Sequence, residues 1–312
     1  AVLGAFAGAA SAQSSVTVYG LVEVQAQKAI GTADKAIADS VTGSRLGFRG
    51  VEDLGGGMKA TFGMEHRLNP ANGTSTSANF WNGYSKVGIA GAFGHIELGR
   101  DYTVNFLMVQ NQIDPFAGDT VAILRNIGMI ANQVGNGGSV RYSNQIEYHL
   151  SANGFNFGAQ VAGGNEQTAG TYIGAKKAYS LAANYAAGPL FVAAGMENGG
   201  GASDKMWDIG ARYNLGVATL TAGYSSGVSN PVVTPATPSV KQKGMLIGAI
   251  IPAGPGNVKV GMARSSNNTS NKFGLGYDYL LSKRSKIYAD VARDSKAAKE
   301  KTGYDLGIAH SF

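Results

Sequence analysis

Apolar and polar residues alternate with a period of two along many short stretches of the chain. In Phe273-Gly274-Leu275-Gly276-Tyr277-Asp278-Tyr279 the apolar side chains take every second position, and Gly and Asp take the others. That spacing places the two sets on opposite faces of an extended strand. The same reading fits Trp207-Asp208-Ile209-Gly210-Ala211-Arg212-Tyr213, Lys59-Ala60-Thr61-Phe62-Gly63-Met64-Glu65 and Ile287-Tyr288-Ala289-Asp290-Val291. Two kinds of connection separate such stretches. Seven are compact turns, six of them rich in Gly, Asn or Pro, at residues 53–57, 91–94, 152–154, 187–189, 214–216 and 252–257, and a seventh at 281–285 with two serines, composed of residues that reverse a chain cheaply. Eight are longer and polar, near 28–44, 67–83, 101–139, 163–178, 197–206, 225–243, 263–272 and 294–302. Fifteen connections join sixteen strands. An even strand number with short turns at one rim and long loops at the other describes a transmembrane β-barrel, and about 16 strands enclose an aqueous channel. The expected fold is therefore all-β, a 16-stranded antiparallel transmembrane β-barrel.

Alternation alone also fits a soluble sandwich, whose apolar face is buried. The positions of Tyr19, Tyr84, Tyr142, Tyr185, Tyr213, Tyr224, Tyr277, Tyr279 and Tyr304 near strand ends favour the barrel, where aromatic girdles mark the membrane interfaces. Composition changes the picture little. Mean hydropathy is −0.05 with 44% hydrophobic residues, and no apolar run reaches the ~18 residues a spanning helix needs. The 46 glycines suit turns, lumen positions and close strand packing. Cysteine is absent, which excludes disulfides and thiolate metal sites. Residues 1–12 are small and apolar and end in Ala10-Ser11-Ala12, an A-x-A-like cleavage site of a secretory signal peptide. They are expected to be the remnant of an export signal, with the barrel spanning 13–312 as one domain.

The third long connection, 101–139, is the longest and far exceeds the ~12–15 residues at which a loop calls for a functional explanation. In a wide barrel such a loop can fold inward and narrow the channel. Charges facing each other across that narrowing set ion selectivity. Asp114 and Asp119 lie in this loop; either carboxylate could instead brace it by accepting backbone N–H bonds. Arg45 is in phase with Gly47 and Arg49, and Arg141 with Ser143, Gln145 and Glu147, so both are expected to face the lumen. Arg100 shares the phase of Ile96 and Leu98 and would need a bulge to turn inward. The net charge of +6 and a pI near 9.3 favour anions in the channel. Several of the cations, including Lys176, Lys177, Lys241, Lys243, Lys296, Lys299 and Lys301, fall in the long loops, where they could equally bind anionic lipopolysaccharide. His66, His95, His149 and His310 have no i, i+2 or i, i+4 partner, so no metal site is signalled. No phosphate-binding or nucleic-acid-binding pattern is present, and no cofactor is expected.

The chain resembles the general diffusion porins of Gram-negative outer membranes, most closely the trimeric sixteen-stranded porins of β-proteobacteria. Ser14-Ser15-Val16-Thr17-Val18-Tyr19-Gly20 resembles the family's first strand. Ser44-Arg45-Leu46-Gly47-Phe48-Arg49-Gly50-Val51-Glu52-Asp53-Leu54-Gly55-Gly56-Gly57 resembles its second strand and turn, and is the most specific match. Gly94-His95-Ile96-Glu97-Leu98-Gly99-Arg100-Asp101-Tyr102 and Gly138-Ser139-Val140-Arg141-Tyr142 resemble the strands flanking the third loop. Tyr277 to Arg284 resembles a late hairpin, and Gly307-Ile308-Ala309-His310-Ser311-Phe312 the terminal strand.

The tip Asp114-Pro115-Phe116-Ala117-Gly118-Asp119-Thr120 resembles the family's Pro-Glu-Phe-Gly-Gly-Asp constriction loop, without its Glu. The resemblance implies Arg45 and Arg100 as rungs of a basic wall facing an acidic loop. Gly135-Asn136-Gly137-Gly138-Ser139 stands where the family has Arg-x-Asp-Asn-Ser, which leaves one rung open that Arg141 can fill. It further implies a homotrimer in outer-membrane lipid and lipopolysaccharide, and a terminal Phe312 read by the barrel-assembly machinery. The expected function is passive diffusion of ions and small hydrophilic solutes with mild anion preference, and no catalysis. A substrate-specific anion channel on the same fold, or a surface adhesin or structural barrel, is the alternative.

Overall fold

The computed structural model describes residues 15–129, 140–163, 177–199, 205–229, 240–266 and 269–312. The export-signal remnant expected at 1–12 and the barrel start expected at residue 13 lie outside the described residues. Among the described residues, sixteen long strands and two short ones form a single antiparallel sheet. The first eight long and short strands in chain order are β1 (Ser15–Lys28), β2 (Lys35–Asp39), β3 (Ser44–Gly55), β4 (Met58–Asn69), β5 (Thr74–Ser75), β6 (Tyr84–Gly91), β7 (Gly94–Tyr102) and β8 (Arg141–Ala152). Then follow β9 (Phe155–Ala162), β10 (Ala178–Ala187), β11 (Leu190–Asn198), β12 (Lys205–Asn214) and β13 (Thr219–Ser229). The last five are β14 (Val240–Ala253), β15 (Gly256–Ser265), β16 (Asn271–Leu280), β17 (Ser285–Asp294) and β18 (Thr302–Ser311). The short β2 and β5 lie within the first and second long loops, and the seven tight turns fall at the positions expected from the sequence.

The sheet closes on itself. β1 pairs with β18 from Leu21↔Ser311 to Lys28↔Tyr304, and along its other edge with β3 and then β2. Closure removes the unpaired strand edges that a bilayer would not tolerate. Phe312 completes the seam: its amide and carbonyl exchange hydrogen bonds of 3.1 Å with Gly20. Its ring covers Gly20, where a Cβ would collide with the ring.

The two faces separate along every strand. On β18, Leu306 is 61% exposed while its neighbour Asp305 is 3% exposed. Exposed Phe273, Leu275, Trp207, Ile209, Ile287, Val291 and their like cover the outside, an apolar surface far beyond what a soluble monomer presents. Tyr213, Tyr279 and Tyr304 join that outer face. Tyr19, Tyr84 and Tyr142 do not. The Tyr19 hydroxyl donates to Glu65 Oε2 at 2.9 Å and meets the Tyr84 hydroxyl, while Tyr142 packs on Ala162 and Ala178. These three rings are interior, where a phenol can reach a polar partner.

The core lies inside the barrel and belongs to the third loop. Past Thr103 the chain forms a π-helical turn (Phe106–Gln110), α1 (Asn111–Ile113) and α2 (Arg125–Gly128). This segment lies along the inner face of β9 to β18. Its apolar side chains seat on inward-facing glycines, Met108 on Gly158, Ile113 on Gly210, Pro115 on Gly248, Leu124 on Gly261 and Phe116 on Gly274. A Cβ at Gly210 would collide with Ile113 Cγ1, and one at Gly261 would come 2.7 Å from Leu124 Cδ1. The absent side chains are what let the loop approach the wall. Val104, Val109, Ile113, Phe116, Leu124 and Met129 are buried as a result.

Polar contacts fix the loop's register on the wall. Thr103 Oγ1 donates to Glu197 at 3.0 Å, and Asn105 and Gln110 both donate to Asp208 Oδ2. The Val121 amide donates to Asp305, and Lys272 Nζ donates to the Ile123 carbonyl at 2.9 Å. Each wall group sits at an inward position, so the loop satisfies polar side chains that would otherwise be buried without partners.

Candidate functional site

The loop leaves a channel of which one hollow, 630 Å3 in volume, lies between its inner edge and the uncovered wall. Its charged lining residues, among those described, are Arg45, Arg125, Arg141, Lys286 and Asp119. Four cations thus face one carboxylate. An adjoining hollow adds Glu23, Lys283 and Arg284 beside Asp119 and Lys286.

Asp119 sits at the loop tip with its carboxylate turned to the first long loop. Oδ1 accepts from the Thr42 amide at 3.2 Å and from the Thr120 amide at 3.0 Å, and Oδ2 accepts from Thr42 Oγ1 at 3.2 Å. Arg45 reaches the same Thr42 hydroxyl, 3.5 Å from its Nη2. Thr42 therefore stands between the opposed charges that the sequence places on wall and loop. Arg45 faces inward on β3, opposite Leu21 of β1.

Arg141 lines the channel by a different route from the one its phase suggests. Between β7 and β8, Gly99 pairs with Gln145 and Asp101 with Tyr142, so β8 carries one extra residue. Asn144, at φ 53°, takes the left-handed conformation such a bulge requires. The phase shared with Gln145 and Glu147 is broken there, and Tyr142 becomes the inward residue. Arg141, at the first position of β8, lies over the Tyr102 ring with Cζ 3.7 Å from its centroid. Tyr102 stacks on Phe106 at 5.2 Å and 9°, and Phe106 carries Arg125 on its other side at 4.8 Å. Two guanidiniums are thus held at the ends of one aromatic column, each by the negative face of a ring.

Arg125 is further fixed by Nη1 donating to Asn111 Oδ1 and to the Ala117 carbonyl. Burial draws this guanidinium below its ordinary pKa, against the pull of Asp114. The sequence reading missed Arg125 and Lys286. Lys286 shares the inward phase of Tyr288 and Asp290 on β17, a legible signal. The burial pattern of that strand alternates accordingly.

Two expected members stand elsewhere. Arg100 pairs with Ser85 in an unbroken β6–β7 register, so it keeps the phase of Ile96 and Leu98; the bulge that would turn it lies on β8 instead. Its guanidinium donates to Ser143 Oγ at 2.8 Å and to the Asn82 carbonyl at 3.3 Å, and it does not line the hollow. Asp114 is 5% exposed and braces the loop. Oδ1 accepts from the Phe116 amide at 2.9 Å, and Oδ2 accepts from the Leu124 and Arg125 amides at 2.8 and 2.9 Å. Asp114→Ala is expected to leave three buried amides without acceptors, at about 1–3 kcal/mol each. Single-channel recordings check this: the loop should fluctuate and the current should flicker, with the mean ion preference retained.

The comparisons agree with this geometry. The model of the family described as Gram-negative porin matches residues 1–298. Outer membrane porin protein 32 of Delftia acidovorans is 32% identical, covering 99% of this chain and 97% of that protein. An outer membrane porin protein of Bordetella pertussis is 27% identical over 100% of this chain and 98% of that protein. Among solved structures, an anion-selective porin from Comamonas acidovorans superposes with a TM-score of 0.79 at 28% identity, covering 96% of this chain and all of that one. A loop-deletion form of OmpT of Vibrio cholerae superposes at 0.73 with 14% identity, a likeness of fold alone. Turn rhythm, closed barrel, interior loop and these matches converge: the chain belongs to the Gram-negative porin family, as a β-barrel of the outer membrane.

Proposed function

We propose that the protein is a passive diffusion channel for ions and small hydrophilic solutes, with the hollow beside the third loop as its narrowest part and with a preference for anions. One observation carries the preference: among the described residues, Arg45, Arg125, Arg141 and Lys286 line the hollow against Asp119 alone. A water-filled passage with excess positive lining concentrates anions and repels cations. The anion selectivity named for the Comamonas acidovorans porin accords with it. No bond is made or broken in such transport, and no catalytic residue is assigned. The working unit is a homotrimer in outer-membrane lipid, with Lys296, Lys299 and Lys301 between β17 and β18 available to lipopolysaccharide phosphates. Phe312, paired at the seam with Gly20, is the assembly signal.

The test is the reversal potential of purified protein in a planar bilayer under a KCl gradient. Wild type is expected on the anion side. Arg45→Ala should move the potential toward zero, and Arg100→Ala should leave it in place because that guanidinium is engaged with Ser143 and Asn82. Equal shifts from both variants would overturn the assignment of the hollow. A cation-side potential in wild type would overturn the preference. Saturable flux of one organic anion would favour the substrate-specific reading on the same fold.

A further inference from the structure

The inner wall below the loop holds a second cluster of ionisable groups. β7 and β8 present two directly opposed pairs toward the lumen, His95↔His149 and Glu97↔Glu147. Opposed residues on antiparallel strands have Cβ atoms about 4.5–5.5 Å apart, and same-face residues along a strand lie about 7 Å apart. Two imidazoles and two carboxylates therefore mark the corners of one small rectangle. Ligand atoms of Glu97, Glu147 and His149 all fall within 4.8 Å of one another. The cluster lies at the turn end of the barrel, since His95 follows the β6–β7 turn at Gly94 and His149 precedes the turn after Ala152.

The orientation of the four groups is that of a ligand set. Glu97 Oε2 accepts from Lys86 Nζ at 2.8 Å, which leaves Oε1 toward His95 Nε2 at 3.6 Å. Glu147 Oε2 accepts from Gln145 Nε2 at 2.8 Å and Gln160 Nε2 at 3.1 Å, which leaves Oε1 on His149 Nε2. Each carboxylate thus has one oxygen held by outer donors and the other turned to an imidazole, the outer-sphere arrangement that orients metal ligands. Gly88 on β6 opens the space. A Cβ there would come 2.9 Å from both His95 Nε2 and Glu97 Cγ. Charge points the same way. Glu97 and Asp101 share the single ammonium of Lys86, and Glu147 stands beside Glu97, so carboxylates outnumber the ammonium here. The sequence reading signalled no metal because the imidazoles meet across two strands and not along one.

We propose that His95, His149, Glu97 and Glu147 form a binding site for a divalent transition-metal ion of the zinc class at the turn-side mouth of the channel. Mixed imidazole and carboxylate donors suit Zn2+, at about 2.0–2.2 Å in tetrahedral geometry, over Mg2+ and Ca2+, which prefer oxygen alone. To ligate, His149 exchanges its bond to Glu147 for the metal, and Thr61 Oγ1, 2.9 Å from His95 Nε2, turns aside. The site is separate from the hollow beside the loop and stands independently of the ion preference proposed for it.

The experiment is titration calorimetry of the folded, detergent-purified protein with ZnCl2 at neutral pH in a non-chelating buffer, with MgCl2 as the control. One Zn2+ per chain is expected, displaced by neither Mg2+ nor Ca2+. His95→Ala/His149→Ala should weaken it by more than the roughly 10–100-fold that loss of an outer-sphere partner costs. Gly88→Ala, which keeps all four ligands but crowds His95 Nε2 and Glu97 Cγ, should weaken it as well. Resistance of the folded barrel to heat in gel electrophoresis verifies that each variant is intact. Zn2+ binding of equal strength in the double histidine variant, or none in wild type at millimolar Zn2+, would overturn the proposal.

Discussion

The double substitution Arg45→Glu/Lys286→Glu is expected to reverse the ion preference of the channel. The hollow in wild type carries three positive charges in excess, from Arg45, Arg125, Arg141 and Lys286 against Asp119. The double variant turns that into one negative charge in excess while leaving the aromatic column and the loop's seat untouched. The measurement is the reversal potential under a tenfold KCl gradient, where complete selectivity for one ion corresponds to about 59 mV. The sign should change from the anion to the cation side. The effect should also shrink with salt, because the screening length falls from about 10 Å at 0.1 M to about 3 Å at 1 M. An unchanged sign at low salt would mean that ions are sorted somewhere other than this hollow.

The second large effect concerns the loop itself. Ile113→Ala with Leu124→Ala removes two fully buried side chains that fill the spaces over Gly210 and Gly261. Each truncation should cost about 2–5 kcal/mol of packing, and the loss falls on the loop because the strands keep their own hydrogen-bond ladders. Single-channel conductance and the size limit for neutral sugars are then expected to rise together. Ion preference should weaken, since ions in the widened passage pass farther from Arg45, Arg141 and Lys286. A barrel that instead loses its heat resistance, with no change in size limit in the surviving channels, would show that this packing serves the wall and not the narrowing.

The strand count was legible because six of the seven turns are written in Gly, Asn or Pro and the strands in alternation, both local signals. Arg45 was legible for the same reason, its phase on β3 being unbroken. Arg141 and Arg100 show where local phase stops being enough. A single left-handed Asn144 moves the inward position from Arg141 to Tyr142, and no residue near Arg100 announces that the bulge lies on the partner strand. Asp114 and Asp119 stand five positions apart and look alike in sequence. They differ because Oδ2 of one meets amides ten and eleven residues further along its own loop, whereas the other meets Thr42. The phenols of Tyr19 and Tyr84 turn inward, where Tyr19 donates to Glu65 and meets Tyr84, which a girdle reading based on strand ends does not register. The seat of the third loop did leave a trace in the sequence. Gly158, Gly210, Gly261 and Gly274 all occur at inward phase on later strands, and the cavities they leave match the apolar residues of 104–129.

That seat has a temporal consequence. The loop follows β7, yet apart from Thr42 at its tip the wall groups that bond it come later in the chain, from Gln160 on β9 to Asp305 on β18, the Val121–Asp305 bond spanning 184 residues. Contacts of such separation form only after the intervening chain has been closed up, at the cost in entropy that makes non-local pairing slow. The narrowing is thus the last part of the molecule to be completed, and a barrel whose final hairpin has not yet joined β1 is also a barrel without a filter.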